Sequence, residues 1–138
     1  MTYISVLIRD IESPMGKYLL CRKDGGKWQL PTDRIRSGET IEAATARTAC
    51  EEVGLSVKPI KEQMHMHRKV PYNAIECTYV EASTLWGAEP EGEFAEFKWV
   101  RARELYDYEF EDMDARFMSK FIPWINADGS EIPGTRMH

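Results

Sequence analysis

Apolar and polar positions along the chain repeat with two different periods, and the changes of period divide it into elements. TYISVLIRD, residues 2–10, is β-branched and apolar with a charged end and predicts a first strand. SPMG then reads as a turn, and KYLLCRK, residues 17–23, as a second strand with the loop signal DGG behind it. KWQLP, residues 27–31, is short and extended, and Pro31 stops it because proline has no N–H for a central strand. TDRIRSGE is a polar connection with one short strand expected around Ile35. SVKPIKEQMHMHRK (56–69) and NAIECTYVEAS (73–83) alternate as strands, and FAEFKWVRA (94–102) predicts a late one. An acidic Gly/Pro loop, WGAEPEGE, precedes that last strand, and RARELYDY after it predicts a short helical turn.

The period lengthens to that of a helix in two places. In GETIEAATARTACEEVGL, residues 38–55, Thr40 predicts the N-cap, Glu42 an acid suited to the first turn, and Gly54 a left-handed stop. Ile41, Ala44, Thr45, Thr48 and Leu55 form a thin, alanine-rich inner stripe that lets a helix lie close to a sheet. DMDARFMSKFIPWIN predicts a terminal helix with Met113, Phe117 and Phe121 on one stripe and a bend or end at Pro123. Strands, an internal helix, more strands and a last helix predict an α/β fold, a mixed sheet flanked by helices. Residues 1–126 form one domain in this reading, and residues 127–138 a loose C-terminal tail.

Length and composition narrow the class. The 138 residues suit one domain, and 43% apolar with 30% charged residues is ordinary for a soluble globular protein. A net charge of −5 argues against general nucleic-acid binding, but not against a nucleotide substrate, whose phosphates a bound cation can offset. No stretch has the ~20 apolar residues of a membrane span, and the N-terminus lacks a signal-peptide pattern, so a cytoplasmic protein is expected. Cys21, Cys50 and Cys77 show no zinc-ligand spacing and read as reduced, mostly buried thiols.

The internal helix holds the candidate chemistry. Neighbours three and four positions apart share a helical face, so Arg47 stands beside Glu51, and Thr48 beside both Glu51 and Glu52. Adjacent carboxylates suit a hard cation such as Mg²⁺ or Mn²⁺, and Arg47 can fix one of them through a bidentate bond. The same charges would also suit a solvated face with one intrahelical ion pair.

The segment resembles the Nudix box, G-x5-E-x7-R-E-U-x-E-E-x-G-U, where U is a bulky apolar residue. Glu39, Arg47, Glu51, Glu52, Gly54 and Leu55 fall in its register, whereas Asp33 replaces the first glycine, Thr48 an acid and Ala49 the bulky residue. WQLPTDRIRSGE is similar to the family's lead-in, with Thr32 and Asp33 in place of paired glycines, and EFAEFKWVRARELYD to its late strand. The resemblance implies an α/β/α sandwich with the box as loop–helix–loop. It also implies metal-dependent hydrolysis of a nucleoside diphosphate linked to another moiety, with Mg²⁺ or Mn²⁺ as cofactor and a small nucleotide as partner. Under it, Glu51, Glu52 and the Thr32 carbonyl are expected metal ligands, and Glu39 a bridging or loop-fixing acid.

Threonine at position 48 removes a carboxylate that could bind metal or take a proton from water. Three outcomes follow: an acid of the 89–96 loop, Glu93 or Glu96 (or Glu89 or Glu91), serves as base; fewer metals bind; or the domain binds nucleotide without efficient turnover. Smaller signals stay open. His65 and His67 share a strand face and could meet a phosphate or base, although solvated strand histidines are commoner. Trp28, Trp86 and Trp99 could stack a base or fill core. Pro71 and Tyr72 resemble substrate-sorting markers of the family, but together they sort nothing. A homodimer stays open.

Overall fold

The computed structural model describes residues 2–12, 16–68, 74–85, 89–126 and 130–133. Pro71, Tyr72 and Trp86 lie outside the described residues, as does most of the expected tail. Among those described, seven strands form one mixed sheet: β1 (Thr2–Arg9), β2 (Lys17–Arg22), β3 (Trp28–Gln29), β4 (Thr32–Arg34), β5 (Val57–Arg68), β6 (Ile75–Thr84) and β7 (Glu96–Arg101). β1 runs parallel to β6 from Thr2↔Glu76 to Arg9↔Ser83 and antiparallel to β2 and β4. β2 also pairs with β3 and β7, and β5 hairpins onto β6 at the end of the sheet order. The short strand expected around Ile35 ends one residue earlier, at Arg34.

Alternation along the central strands feeds two cores. Ile4, Val6 and Ile8 of β1, Leu19 and Cys21 of β2, and Val80 and Ala82 of β6 face α1 (Ile41–Val53), against Ala44, Ala49 and Val53. Leu7, Tyr18, Leu20, Cys77 and Tyr79 face α2 (Asp112–Phe121), where Phe117 stacks on Tyr79 at 4.1 Å and on Phe121 at 5.2 Å. Such stacks add about 0.5–1.5 kcal/mol beyond the area they bury. The result is a sheet between two helical layers, an α/β/α sandwich.

The local signals act as read. The Thr40 hydroxyl accepts from the Ala43 N–H at 3.1 Å, and Gly54 closes α1 at φ +68°, its N–H bonded to the Cys50 carbonyl at 3.0 Å. α2 stops at Phe121, and Pro123 lies in the short 3-10 turn Ile122–Trp124 that follows. The expected short helix after the last strand is a 3-10 turn, Ala102–Asp107. Of residues 127–138, only 130–133 are described. Asn126 N–H bonds the Ser130 carbonyl, Ile132 N–H bonds the Trp124 carbonyl, both at 2.7 Å, and Glu131 pairs with Lys61. Cys21 and Cys77 are buried, whereas Cys50 is exposed on the outer side of α1.

Candidate active site

The loop before α1 is organised by one guanidinium. Arg47 donates from Nε to Glu39 Oε2 at 2.6 Å and from Nη2 to Glu39 Oε1 at 3.0 Å, a bidentate pair. Its remaining donors reach Asp33 Oδ2 at 2.8 Å, Glu51 Oε2 at 3.1 Å and the Arg34 carbonyl at 2.8 Å. All five N–H donors of the side chain are thereby used. Glu39 also accepts from the Arg36 N–H at 3.0 Å, so β4, the following turn and α1 are tied at one point. Glu51 is shared between Arg47 and Arg36, whose Nη2 lies 3.1 Å away.

Glu52 points elsewhere. With Glu51, Glu93, Lys23, Gly92 and Phe94 it lines an open cleft of about 590 Å³. The 89–95 loop reaches this cleft by packing on the C-terminal end of α1, where the Glu91 N–H bonds the Val53 carbonyl at 2.9 Å. Gly92, at φ +150°, lies so close that an added Cβ would stand 2.5 Å from the Glu52 carbonyl oxygen. A side chain at Gly54 would likewise meet Glu91 Cγ at 2.7 Å. Two glycines thus let loop and helix end touch, and that contact brings Glu93 to the cleft that Glu52 also lines.

The electrostatics divide the acids into two kinds. Hydrogen bonds from Arg47 and then from the Arg36 N–H hold the Glu39 carboxyl down at about 2. Partial burial pushes Asp33 up, but the Arg47 and Arg34 hydrogen bonds and the nearby guanidinium charges outweigh it and bring it below its ordinary value. Glu52 moves the opposite way: burial raises its carboxyl, and the charges of Asp33, Glu51 and Glu93 add to the rise against a smaller pull from Lys23. Among the described residues neither Glu52 nor Glu93 has an ion-pair partner. With Glu51 already held by Arg47 and Arg36, the carboxylates of Glu52 and Glu93 face one ammonium, Lys23, on an open wall, which fits a hard divalent cation that takes oxygen ligands.

The other expected site residues stand apart. Glu96 is on β7 opposite Arg22 and forms an ion pair with it, outside the residues that line the cleft. Glu91 stands against Gly54. The Thr32 hydroxyl lies 2.5 Å from Ser5 Oγ, a contact that leaves the carbonyl expected as a ligand uninvolved. Thr48 is completely buried on the sheet side of α1, and its Oγ1 has no hydrogen-bond partner among the described residues. Helical spacing placed it beside Glu52; the packing turns its side chain inward.

One buried acid escaped the sequence reading. Asp114 is 7% exposed, accepts from the Tyr79 hydroxyl at 2.6 Å and from the Leu30 N–H at 2.9 Å, and burial raises its carboxyl. Its position three residues before Phe117 and seven before Phe121, on the apolar stripe, was the available signal. Asp114 borders a second cavity of about 200 Å³ with Tyr3, Ser5, Thr32, Cys77 and Met113. β4 joins the two regions, since Asp33 binds Arg47 and its neighbour Thr32 lines the second cavity.

With fold and site in view, the chain belongs to the NUDIX domain family, whose pattern matches residues 1–125. A Mycobacterium tuberculosis protein, provisionally named 8-oxo-dGTP diphosphatase 2, is 27% identical over 108 residues, which cover 78% of this chain and 77% of that one. Among solved structures, a MutT protein from Methanosarcina mazei Go1 superposes with a TM-score of 0.70 at 20% identity, covering 87% of this chain and 91% of that one. The E. coli dihydroneopterin triphosphate pyrophosphohydrolase gives 0.69 at 16% identity, over 88% and 94% of the two chains. Among the described residues no helix is long and apolar enough to cross a membrane.

Proposed function

We propose that the chain hydrolyses the pyrophosphate of a small nucleoside diphosphate derivative, with Mg²⁺ or Mn²⁺ held by Glu52 and Glu93 and by Glu51 at the rim. The observation that carries this reading is the convergence of Glu52 and Glu93, neither ion-paired among the described residues, on one open cleft. A bound divalent ion would neutralise phosphate charge and lower the pKa of water there.

The chain's own residues supply the rest. Lys23 offers the cleft a positive charge for a phosphate oxygen. Glu93, on the loop that Gly92 presses against α1, is placed to accept the proton of the attacking water, the task that Thr48 cannot perform. Arg47, Glu39 and Asp33 touch no substrate in this scheme; they hold Glu51 and the helix in place. The second cavity, apolar with a few polar atoms, suits the flat base of the nucleotide better than the charged cleft does.

A second reading, a domain that binds nucleotide with weak turnover, draws on the burial of Thr48, which leaves α1 one acid short on this wall. Phosphate release from a panel of nucleotides with Mg²⁺ and with Mn²⁺ separates the two. Turnover that disappears in Glu52→Gln supports hydrolysis, and tight binding with no release above an enzyme-free control supports the second reading.

A further inference from the structure

Away from the acidic cleft, the β5–β6 hairpin carries a second group of ligating side chains. His65 and His67 are two residues apart on β5, so they leave the same face of the strand. The register sets His67 opposite Glu76 and His65 opposite Thr78. One ligand atom from each of His65, His67 and Glu76 lies within 4.8 Å of the other two. His67 Nδ1 is 3.4 Å from Glu76 Oε1, and the two imidazole rings meet edge to face with centroids 4.8 Å apart. The Thr78 hydroxyl stands 2.9 Å from His65 Nδ1. All three side chains are open to solvent, with 59% of His67 and 43% of Glu76 exposed.

We propose that His65, His67 and Glu76 bind a transition-metal ion of the Zn²⁺ type, at a site separate from the acidic cleft. Two imidazoles and one carboxylate are a ligand set that Zn²⁺ takes in three-ligand sites, where a fourth position stays open to water or another ligand. Imidazole favours Zn²⁺, Ni²⁺ or Cu²⁺, whereas Mg²⁺ and Mn²⁺ favour oxygen, so the two sites select different ions. Tetrahedral bonds of about 2.0–2.1 Å set ligand atoms roughly 3.3 Å apart. Closing from the observed spread asks for about 1.5 Å of side-chain rotation, which exposed rings on paired strands can make without moving the backbone.

The surroundings agree with a ligand role. A hydroxyl on the nitrogen of His65 nearest the partner strand fixes that ring and leaves its other nitrogen to coordinate, as outer hydrogen bonds do for metal-bound histidines. The cysteine spacing offered no zinc pattern; Glu76 completes this set across the sheet, where linear spacing does not show it. An ion here would bridge β5 to β6 at the end of the sheet order.

The test is a Zn²⁺ titration of the full, chelator-stripped chain against a chromogenic competitor, at pH 7.5 and pH 5.5, with thermal melts alongside. The unaltered chain, Glu52→Gln and Cys50→Ser should each bind one equivalent and melt higher with Zn²⁺. His65→Ala and His67→Ala should bind at least about tenfold more weakly, and Glu76→Gln should weaken binding too. At pH 5.5 protons compete more strongly with the ion for its ligands, so binding by the unaltered chain should fall sharply. The proposal is overturned if neither histidine variant loses affinity, if the equivalent disappears in Glu52→Gln or Cys50→Ser instead, or if the unaltered chain binds no Zn²⁺. These outcomes do not depend on whether the acidic cleft hydrolyses nucleotides.

Discussion

Arg47 grips Glu39 through two parallel hydrogen bonds, 2.6 and 3.0 Å long, while 13% of each side chain remains exposed. Lysine cannot reproduce this fork, nor reach Asp33, Glu51 and the Arg34 carbonyl at once. Arg47→Lys should therefore lower Tm by several degrees and loosen the loop before α1, visible as faster amide exchange at residues 34–39.

The same pair sets an acid limit on stability. Glu39 is held at about 2 against an ordinary 4.5, so the stabilisation it gives is complete above about pH 4.5 and is lost as pH falls through about 2. Denaturant melts of the unaltered chain and Glu39→Gln should differ by a constant amount above pH 5 and converge toward pH 2. A gap that does not change with pH would show that the charge of Glu39 is not what matters.

Gly92 is a test of the loop–helix contact. Alanine there would drive a Cβ to 2.5 Å from the Glu52 carbonyl oxygen, so the loop must lift and carry Glu93 away. Gly92→Ala should cost about tenfold to a hundredfold in kcat, the scale of an ångström's misplacement, with a much smaller change in Tm.

Asp114 separates charge from hydrogen bonding in the α2 core. Asp114→Ala leaves the Leu30 N–H and the Tyr79 hydroxyl without their partner and should destabilise by about 2–4 kcal/mol. Asp114→Asn keeps one acceptor for Leu30 and a donor to which the Tyr79 oxygen can turn, so its loss should be well under half of that. Chemical denaturation of both variants decides the matter.

Thr48 gives the most direct reading of the altered box. Its hydroxyl is buried without a partner among the described residues, so the isosteric Thr48→Val should leave stability unchanged or raise it by about 1 kcal/mol. Thr48→Glu restores an acid on the helix turn of Glu52 but places it at a buried position. It should melt lower in chelator, recover on adding Mg²⁺ or Mn²⁺, and turn over faster with the ion present. A melt insensitive to the ion would mean that the buried acid does not reach it.

The parts of this molecule legible in its sequence are those fixed by neighbours along the chain. Thr40 and Gly54 bound α1 because capping involves residues within a turn, and the strands followed their alternation. The box residues were readable because Arg47 and Glu51 are one turn apart. What the chain could not display depends on the sheet. Glu93 and Glu96 looked equivalent until β7 paired with β2 and gave Glu96 to Arg22. Thr48 was legible as part of the inner stripe and is buried there, but that its hydroxyl meets no partner among the described residues depends on what the sheet sets against it. His67 and Glu76 meet by register across the hairpin, and Asp114 finds Leu30 and Tyr79 across the core.

The central claim is that Glu52 and Glu93 together hold a divalent ion in the cleft beside α1. Mn²⁺ titration followed by the electron paramagnetic resonance signal of the free ion tests it without any substrate. The account predicts that the unaltered chain depletes the free signal, and that Glu52→Gln and Glu93→Gln each restore most of it while His67→Ala does not. Equal depletion by all four proteins, or none by the unaltered chain, would contradict it.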